Sequence, residues 1–231
     1  MKEERAVKEE MTGRKEMSKA EERVSGSEAS EEGGSASGVT ELVFIIDKSG
    51  SMDNLVEDTV GGFNSTLRAQ RELEGEVLVS TVLFSNASEV LYDRVRISEV
   101  KEMTARDYRP SGCTALLDAV GGAIHHIGNI HKYARREDVP EKTMFVIITD
   151  GMENASRNYG YDTVKAMIER QKERYGWEFL FLAANIDTES AAARIGISAD
   201  RAASFDASSE GMMCCYRMSS EAIGEFRRRR R

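Results

Sequence analysis

Basic charge, cysteine pairs and long apolar runs are all scarce in this 231-residue chain, and each scarcity excludes a class. Thirty-two Lys and Arg face 40 Asp and Glu, a formal net charge of −8, so an even mat of basic charge for nucleic acid is excluded. The three cysteines are Cys113, Cys214 and Cys215. An odd count with one adjacent pair makes a poor disulfide framework, and a reducing cytoplasm is the expected location. The longest uninterrupted apolar run, Phe179 to Ala184, is six residues, whereas a bilayer span needs about 20. The first 25 residues contain no apolar stretch of the kind a secretory signal requires. The 19 glycines follow no period, which removes collagen-like architectures.

What is present divides into three parts. Residues 1–38 carry seven Lys/Arg and ten Glu, with Gly- and Ser-rich stretches at the end, no aromatic residue and almost no large aliphatic one. Such a segment cannot bury enough apolar surface to offset the entropy of ordering, and a disordered charged arm is expected. Residues 227–231 are five consecutive arginines, read as a tail. Without the arm (−3) and that tail (+5), residues 39–226 carry −10 and are long enough for one domain with a sizeable core.

Within 39–226, short apolar runs alternate with amphipathic stretches. Strands are expected at Leu42–Asp47, Val77–Phe84, Met144–Thr149, Trp177–Ala184 and Ala202–Phe205. Helices are expected at Leu55–Leu73, Thr114–Tyr133, Tyr161–Tyr175, Thr188–Ile195 and Ser208–Phe226. The turn Ser85-Asn86-Ala87-Ser88 makes Glu89–Ile97 a hairpin partner of the preceding strand, hence an antiparallel edge. The alternation predicts an α/β fold of three layers, Rossmann-like, with a mostly parallel central sheet, one antiparallel edge strand and helices on both faces. Ligands of such sheets bind beyond the carboxyl ends of the strands.

The first buried strand runs into Asp47-Lys48-Ser49-Gly50-Ser51-Met52. Alternate residues of an extended turn point the same way, so Asp47, Ser49 and Ser51 can converge. Another buried strand ends in Thr149-Asp150-Gly151. Between them Ser111-Gly112-Cys113-Thr114-Ala115 enters a helix with a hydroxyl residue at its start. Two carboxylates and three hydroxyls are hard oxygen donors, an inventory that suits Mg²⁺ or Mn²⁺ and not Zn²⁺. With only two protein charges, the ion would keep waters or an open position that a carboxylate from another molecule could fill.

These residues resemble the von Willebrand factor A domain and its metal-ion-dependent adhesion site, whose pattern is Asp-x-Ser-x-Ser, then a distant Thr, then a distant Asp. Asp47, Ser49, Ser51, Thr114 and Asp150 fill all five positions, and the likeness spans roughly residues 39–205. The Asp-x-Ser-Gly-Ser-Met form is similar to intracellular bacterial members. The resemblance implies Ser49, Ser51 and Thr114 as direct contacts of the ion, with Asp47 and Asp150 acting mainly through water. It also implies an adaptor or scaffold role, in which the ion bridges to an Asp or Glu of a protein partner.

The alternative is a Mg²⁺-dependent hydrolase or phosphotransferase using the same acids. Against it, Lys48-Ser49 stands where an Asp-x-Asp phosphatase needs its second acid, and no Walker-type phosphate loop is present. No small-molecule substrate is expected. At an anionic membrane Arg227–Arg231 would contribute at most about 5 kcal/mol. On nucleic acid they would give a salt slope of about −4.5. A solubilising tail is the favoured reading.

Asp118, one helical turn after Thr114, is a candidate to orient the site. Glu153 and Asn154 read as solvated turn residues. His125, His126 and His131 do not share a helix face at metal-binding spacing and are taken as ordinary residues. Gly61-Gly62 and Gly121-Gly122 cost helix stability and are read as aids to close helix–sheet packing.

Overall fold

The computed structural model describes residues 38–229. The arm expected over 1–38 lies outside the described residues except for Gly38, as do Arg230 and Arg231. Six strands form one sheet: β1 (Thr40–Asp47), β2 (Val77–Phe84), β3 (Ser88–Arg96), β4 (Lys142–Thr149), β5 (Glu178–Ala183) and β6 (Ala202–Ser204). Among the described residues five α-helices surround it: α1 (Val56–Arg71), α2 (Leu116–Tyr133), α3 (Tyr161–Tyr175), α4 (Thr188–Arg194) and α5 (Ser209–Arg228). The spatial order is β3-β2-β1-β4-β5-β6, and only β2 and β3 pair antiparallel.

β1 is central, and all eight of its residues are buried. Its side chains alternate between two cores because successive strand residues point to opposite faces. Leu42, Phe44 and Ile46 pack with Phe63 and Leu67 of α1 and with Met212, Tyr216 and Ile223 of α5. Val43 and Ile45 pack with Val120 and Ile124 of α2, Val164 and Ile168 of α3, and Ala192 of α4. A strand buried on both faces reads as a continuous apolar run, which is what Leu42–Ile46 is.

The edges are managed differently. β3 is long but carries Glu89, Asp93, Arg94 and Arg96, and its register against β2 shifts at Thr81, which blunts edge-to-edge pairing. β6 is only three residues long.

The glycine pairs serve a purpose other than helix–sheet packing. A Cβ on Gly62 would stand 2.2 Å from the Tyr216 ring of α5, and one on Gly121 would stand 2.5 Å from the Tyr159 ring. Each therefore admits a tyrosine from a neighbouring helix or loop. The other member of each pair, Gly61 or Gly122, faces open space.

α5 runs two residues beyond Phe226, so the terminal arginines begin inside a packed helix. The Arg227 guanidinium donates to the carbonyls of Gln70 (2.5 Å), Leu73 (3.1 Å) and Glu74 (2.9 Å). These groups lie at and just beyond the carboxyl end of α1, where helix carbonyls lack intrahelical partners and a cation is favourable. Arg229 pairs with Glu178 at 2.8 Å.

The strand order reverses between β1 and β4. From β1 the chain moves to β2 on one side, and from β4 to β5 on the other. The loops leaving these two strands part there and open a crevice at their carboxyl ends.

Candidate metal centre

Asp47 ends β1 in this crevice and is fully buried. Its Oδ1 accepts the Ser49 backbone N–H at 2.7 Å, and its Oδ2 accepts the Thr149 hydroxyl of β4 at 2.6 Å. Both oxygens are thus held by neutral donors. Burial pushes the Asp47 carboxyl above its ordinary value of 3.8; the hydrogen bonds from Thr149 and Ser49 oppose this, and the charge of Asp150 adds to it. The Tyr108 hydroxyl donates to the Asp47 carbonyl, and burial raises the pKa of that phenol well above the usual tyrosine range.

Ser49 is extended, and Gly50–Leu55 then forms a 3₁₀ turn, so Ser51 lies in a tight helical turn rather than an extended one. The two serine hydroxyls come within 3.2 Å. The Ser51 hydroxyl donates to Asp150 Oδ1 at 2.7 Å, linking the loop after β1 to the loop after β4. Asp150 is buried, and its carbonyl accepts from Asn185, a residue in the left-handed region after β5 (φ 58°).

The segment carrying Thr114 is pinned from both sides. Gly50 N–H donates to Gly112 at 3.0 Å, and Ser111 N–H to Lys48 at 2.8 Å. Asn86 Oδ1 accepts the Cys113 N–H at 2.6 Å. Gly112 has φ 75°, and a Cβ there would meet the Asn86 amide at 2.8 Å, so glycine is required for both reasons. Thr114 N–H donates to Asn154 Oδ1 at 2.9 Å, while Asn154 N–H returns a bond to the Thr114 carbonyl at 3.0 Å. A Cβ on Gly151 would stand 3.7 Å from the Thr114 hydroxyl, which places Thr114 against the Asp150 loop. The helix begins at Leu116, two residues later than the sequence suggests.

Asp47, Ser49, Ser51, Thr114 and Asp150 therefore gather at one crevice. Two carboxylates and three hydroxyls supply oxygen alone. Among the described residues no group of three or more His, Cys, Asp or Glu side chains assembles, so no nitrogen- or sulfur-rich metal site forms there. The donor set fits a hard divalent cation such as Mg²⁺.

The supporting network reaches further than the sequence suggests. Glu153 is no solvated turn residue. Its Oε1 accepts the N–H groups of Ala155 (2.9 Å) and Ser156 (2.8 Å), and its Oε2 accepts the Leu117 N–H (2.9 Å) and the Ser156 hydroxyl (2.7 Å). It thereby caps α2 from the opposite loop. Asp118 accepts the N–H groups of Arg157, Asn158 and Tyr159 at 2.8–3.0 Å. Burial acts to raise its pKa, and these bonds with the Asn158 amide outweigh it, so the net shift is downward. Glu153 and Asp118 together fix residues 150–160 against the start of α2. The sequence signal was an acid in the first helical turn and Glu-Asn-x-Ser in a turn, both of which have many other uses.

No protein-family model matches the chain, and no curated protein does. Solved structures do resemble it. A mutant of the PilB minor pilin from Streptococcus sanguinis superposes with a TM-score of 0.57 at 13% identity, covering 80% of this chain and 61% of the pilin chain. A von Willebrand factor type A structure from Catenulispora acidiphila gives 0.52 at 15%, covering 78% and 42%. The vWF domain of the type V pili tip protein Mfa5 from Porphyromonas gingivalis gives 0.56 at 10%, covering 83% and 97%. The chain thus spans less than two thirds of the first and second of these and nearly all of the third. Identities this low speak to architecture alone, and that architecture, with its six-stranded order and its crevice between β1 and β4, is a von Willebrand factor A-like fold.

Proposed function

We propose that this domain binds Mg²⁺ or Mn²⁺ through Asp47, Ser49, Ser51, Thr114 and Asp150, and that the bound ion captures an Asp or Glu carboxylate of a protein partner, in an adaptor or scaffold role. The observation that carries the reading is the buried Asp47 beside the buried Asp150, each held only by neutral hydrogen-bond donors among the described residues. Two carboxylates brought together out of water repel one another, and a divalent cation is the simplest group that removes the repulsion. Bound there, the ion would supply a Lewis-acidic contact for an incoming carboxylate. The protein's own contribution is to fix the oxygen donors and to hold the three loops at one spacing. The adaptor role rests on the von Willebrand factor A resemblance, since fold does not fix function. All three thiols are free and Cys113 is exposed beside Thr114, which suits a reducing cytoplasm as the working location.

The test is calorimetric titration with Mg²⁺, followed by affinity capture from lysate in Mg²⁺, in EDTA and with Ser49→Ala. The expected result is an ion affinity that Ser49→Ala weakens, and a partner retained only in the Mg²⁺ lane. The same partners in all three lanes would overturn the reading. A Mg²⁺-dependent turnover abolished by Asp47→Ala would favour the hydrolase alternative.

A further inference from the structure

A second candidate site, independent of the metal centre, lies at the opposite end of the sheet. There α2 and α3 flank a groove of about 1150 Å³ near the starts of β4 and β5. Four cations line it: Lys132, Arg136, Arg170 and Arg174. Arg170 and Arg174 are one helical turn apart, on one face of α3. Among the described residues none of the four forms an ion pair. Of the residues lining the groove, Glu141 alone carries a carboxylate. Acids outnumber bases in this chain, and Arg68, Arg94, Arg96, Arg135 and Arg201 all have acidic partners, so a shortage of acids does not explain the groove.

Aromatic rings accompany the cations. Trp177 forms the floor, stacked on Phe145 (5.2 Å) and met edge-on by His131 (5.3 Å). His131 is held in turn by the buried Glu41 at 2.6 Å, so the floor is rigid. At the rim, Tyr175 is 51% exposed. Tyr133 is 78% exposed on an adjoining hollow of about 520 Å³ that shares His125 and Asn129 with the groove. Arg229 is tied to Glu178, the neighbour of Trp177, so the described part of the terminal arginine run ends at this same pole.

We propose that this groove binds single-stranded nucleic acid, with backbone phosphates on Lys132, Arg136, Arg170 and Arg174 and a base stacked on Tyr175. Cations without an acidic partner among the described residues supply the phosphate track, Lys132 lying 4.9 Å over the Tyr133 ring, and exposed rings beside them supply sequence-tolerant stacking. An acidic peptide would use the cations and leave the rings idle. A duplex would press a stiff rod of negative charge against an acidic protein, whereas a flexible strand confines its contact to the groove.

The test is fluorescence anisotropy of a fluorescein-labelled single-stranded RNA dodecamer with the full chain in EDTA, which keeps the outcome separate from that of the metal site. Binding is expected, with a log–log salt slope of about −2.8 for four neutralised phosphates. The double variant Arg170→Glu/Arg174→Glu should weaken it at least about tenfold and flatten the slope by about 1.4. Tyr175→Ala should weaken it about fivefold or more and leave the slope unchanged. All three changes are on exposed helix positions, and circular dichroism checks that the variants fold. No binding by the wild-type chain would overturn the proposal, as would equal binding by the double variant. So would tighter binding of a labelled oligo-glutamate peptide than of the RNA, or binding lost on removing Arg230 and Arg231 but kept by the double variant.

Discussion

β1 buries a carboxylate near each end, and the surroundings of the two differ in kind. Asp47, at the carboxyl end, is held by a backbone N–H and a threonine hydroxyl, both neutral, with a second acid close by. Glu41, at the amino end, is equally buried, but Arg94 meets one oxygen at 2.6 Å and His131 the other at 2.6 Å. Neutral donors alone satisfy the oxygens of Asp47, whereas Glu41 has the Arg94 guanidinium as a cationic partner inside the chain. A buried acid among neutral donors, beside another acid, suits the cation proposed above. A buried acid already matched by an arginine of its own chain needs no external ion. Exposure alone would not have separated them.

The largest expected effect falls at the amino end. Glu41→Ala leaves the Arg94 guanidinium, mostly buried, without its partner, and breaking a buried pair in this way costs about 3–5 kcal/mol. Urea denaturation should show that loss, while the Mg²⁺ response of the folded fraction stays as in the wild type. A loss below about 1 kcal/mol would mean that water reaches the pair and that the two ends are more alike than their burial suggests.

At the carboxyl end the expectation is reversed. Mg²⁺ at a hundredfold excess over its dissociation constant should stabilise the wild type by about 2.7 kcal/mol, seen as a rise in Tm. Asp47→Asn should abolish that rise. An asparagine that kept the Mg²⁺ response would show that Asp47 serves the fold rather than the ion.

A smaller effect sharpens the picture of the loop behind the site. The Asp118 pKa is depressed below 3.8, so its contribution is present above that value and is lost as pH falls through the depressed one. The protection of residues 157–159 against hydrogen exchange, taken relative to the intrinsic rate at each pH, should therefore fall in the wild type below pH 3.8. In Asp118→Ala it should be low already at neutral pH, with a stability loss of about 1 kcal/mol, as for a removed helix cap.

Much of this was legible beforehand. The central strands stood out because a strand buried on both faces must be apolar throughout. Val77–Phe84 and Tyr161–Tyr175 have the bounds that sequence pattern gives them. The edge strand followed from its turn. The five residues that gather at the crevice were legible because each sits in a short local motif at the end of an element. Helix starts were less so: Thr114 resembles a cap, yet its backbone is engaged with Asn154, and α2 waits until Leu116.

The order of apolar runs and turns thus determined the α/β class, the antiparallel edge and the crevice where function is to be sought. The tertiary structure alone decided which acids are matched and which are not. Glu41 meets Arg94 and His131 across 53 and 90 residues of chain, and Asp47 meets Thr149 across 102. The same holds for Gly62 under Tyr216, and for Glu153 and Asp118 clasping two loops. Such pairings arise when separate elements pack within a few ångströms of one another, and no local periodicity records them.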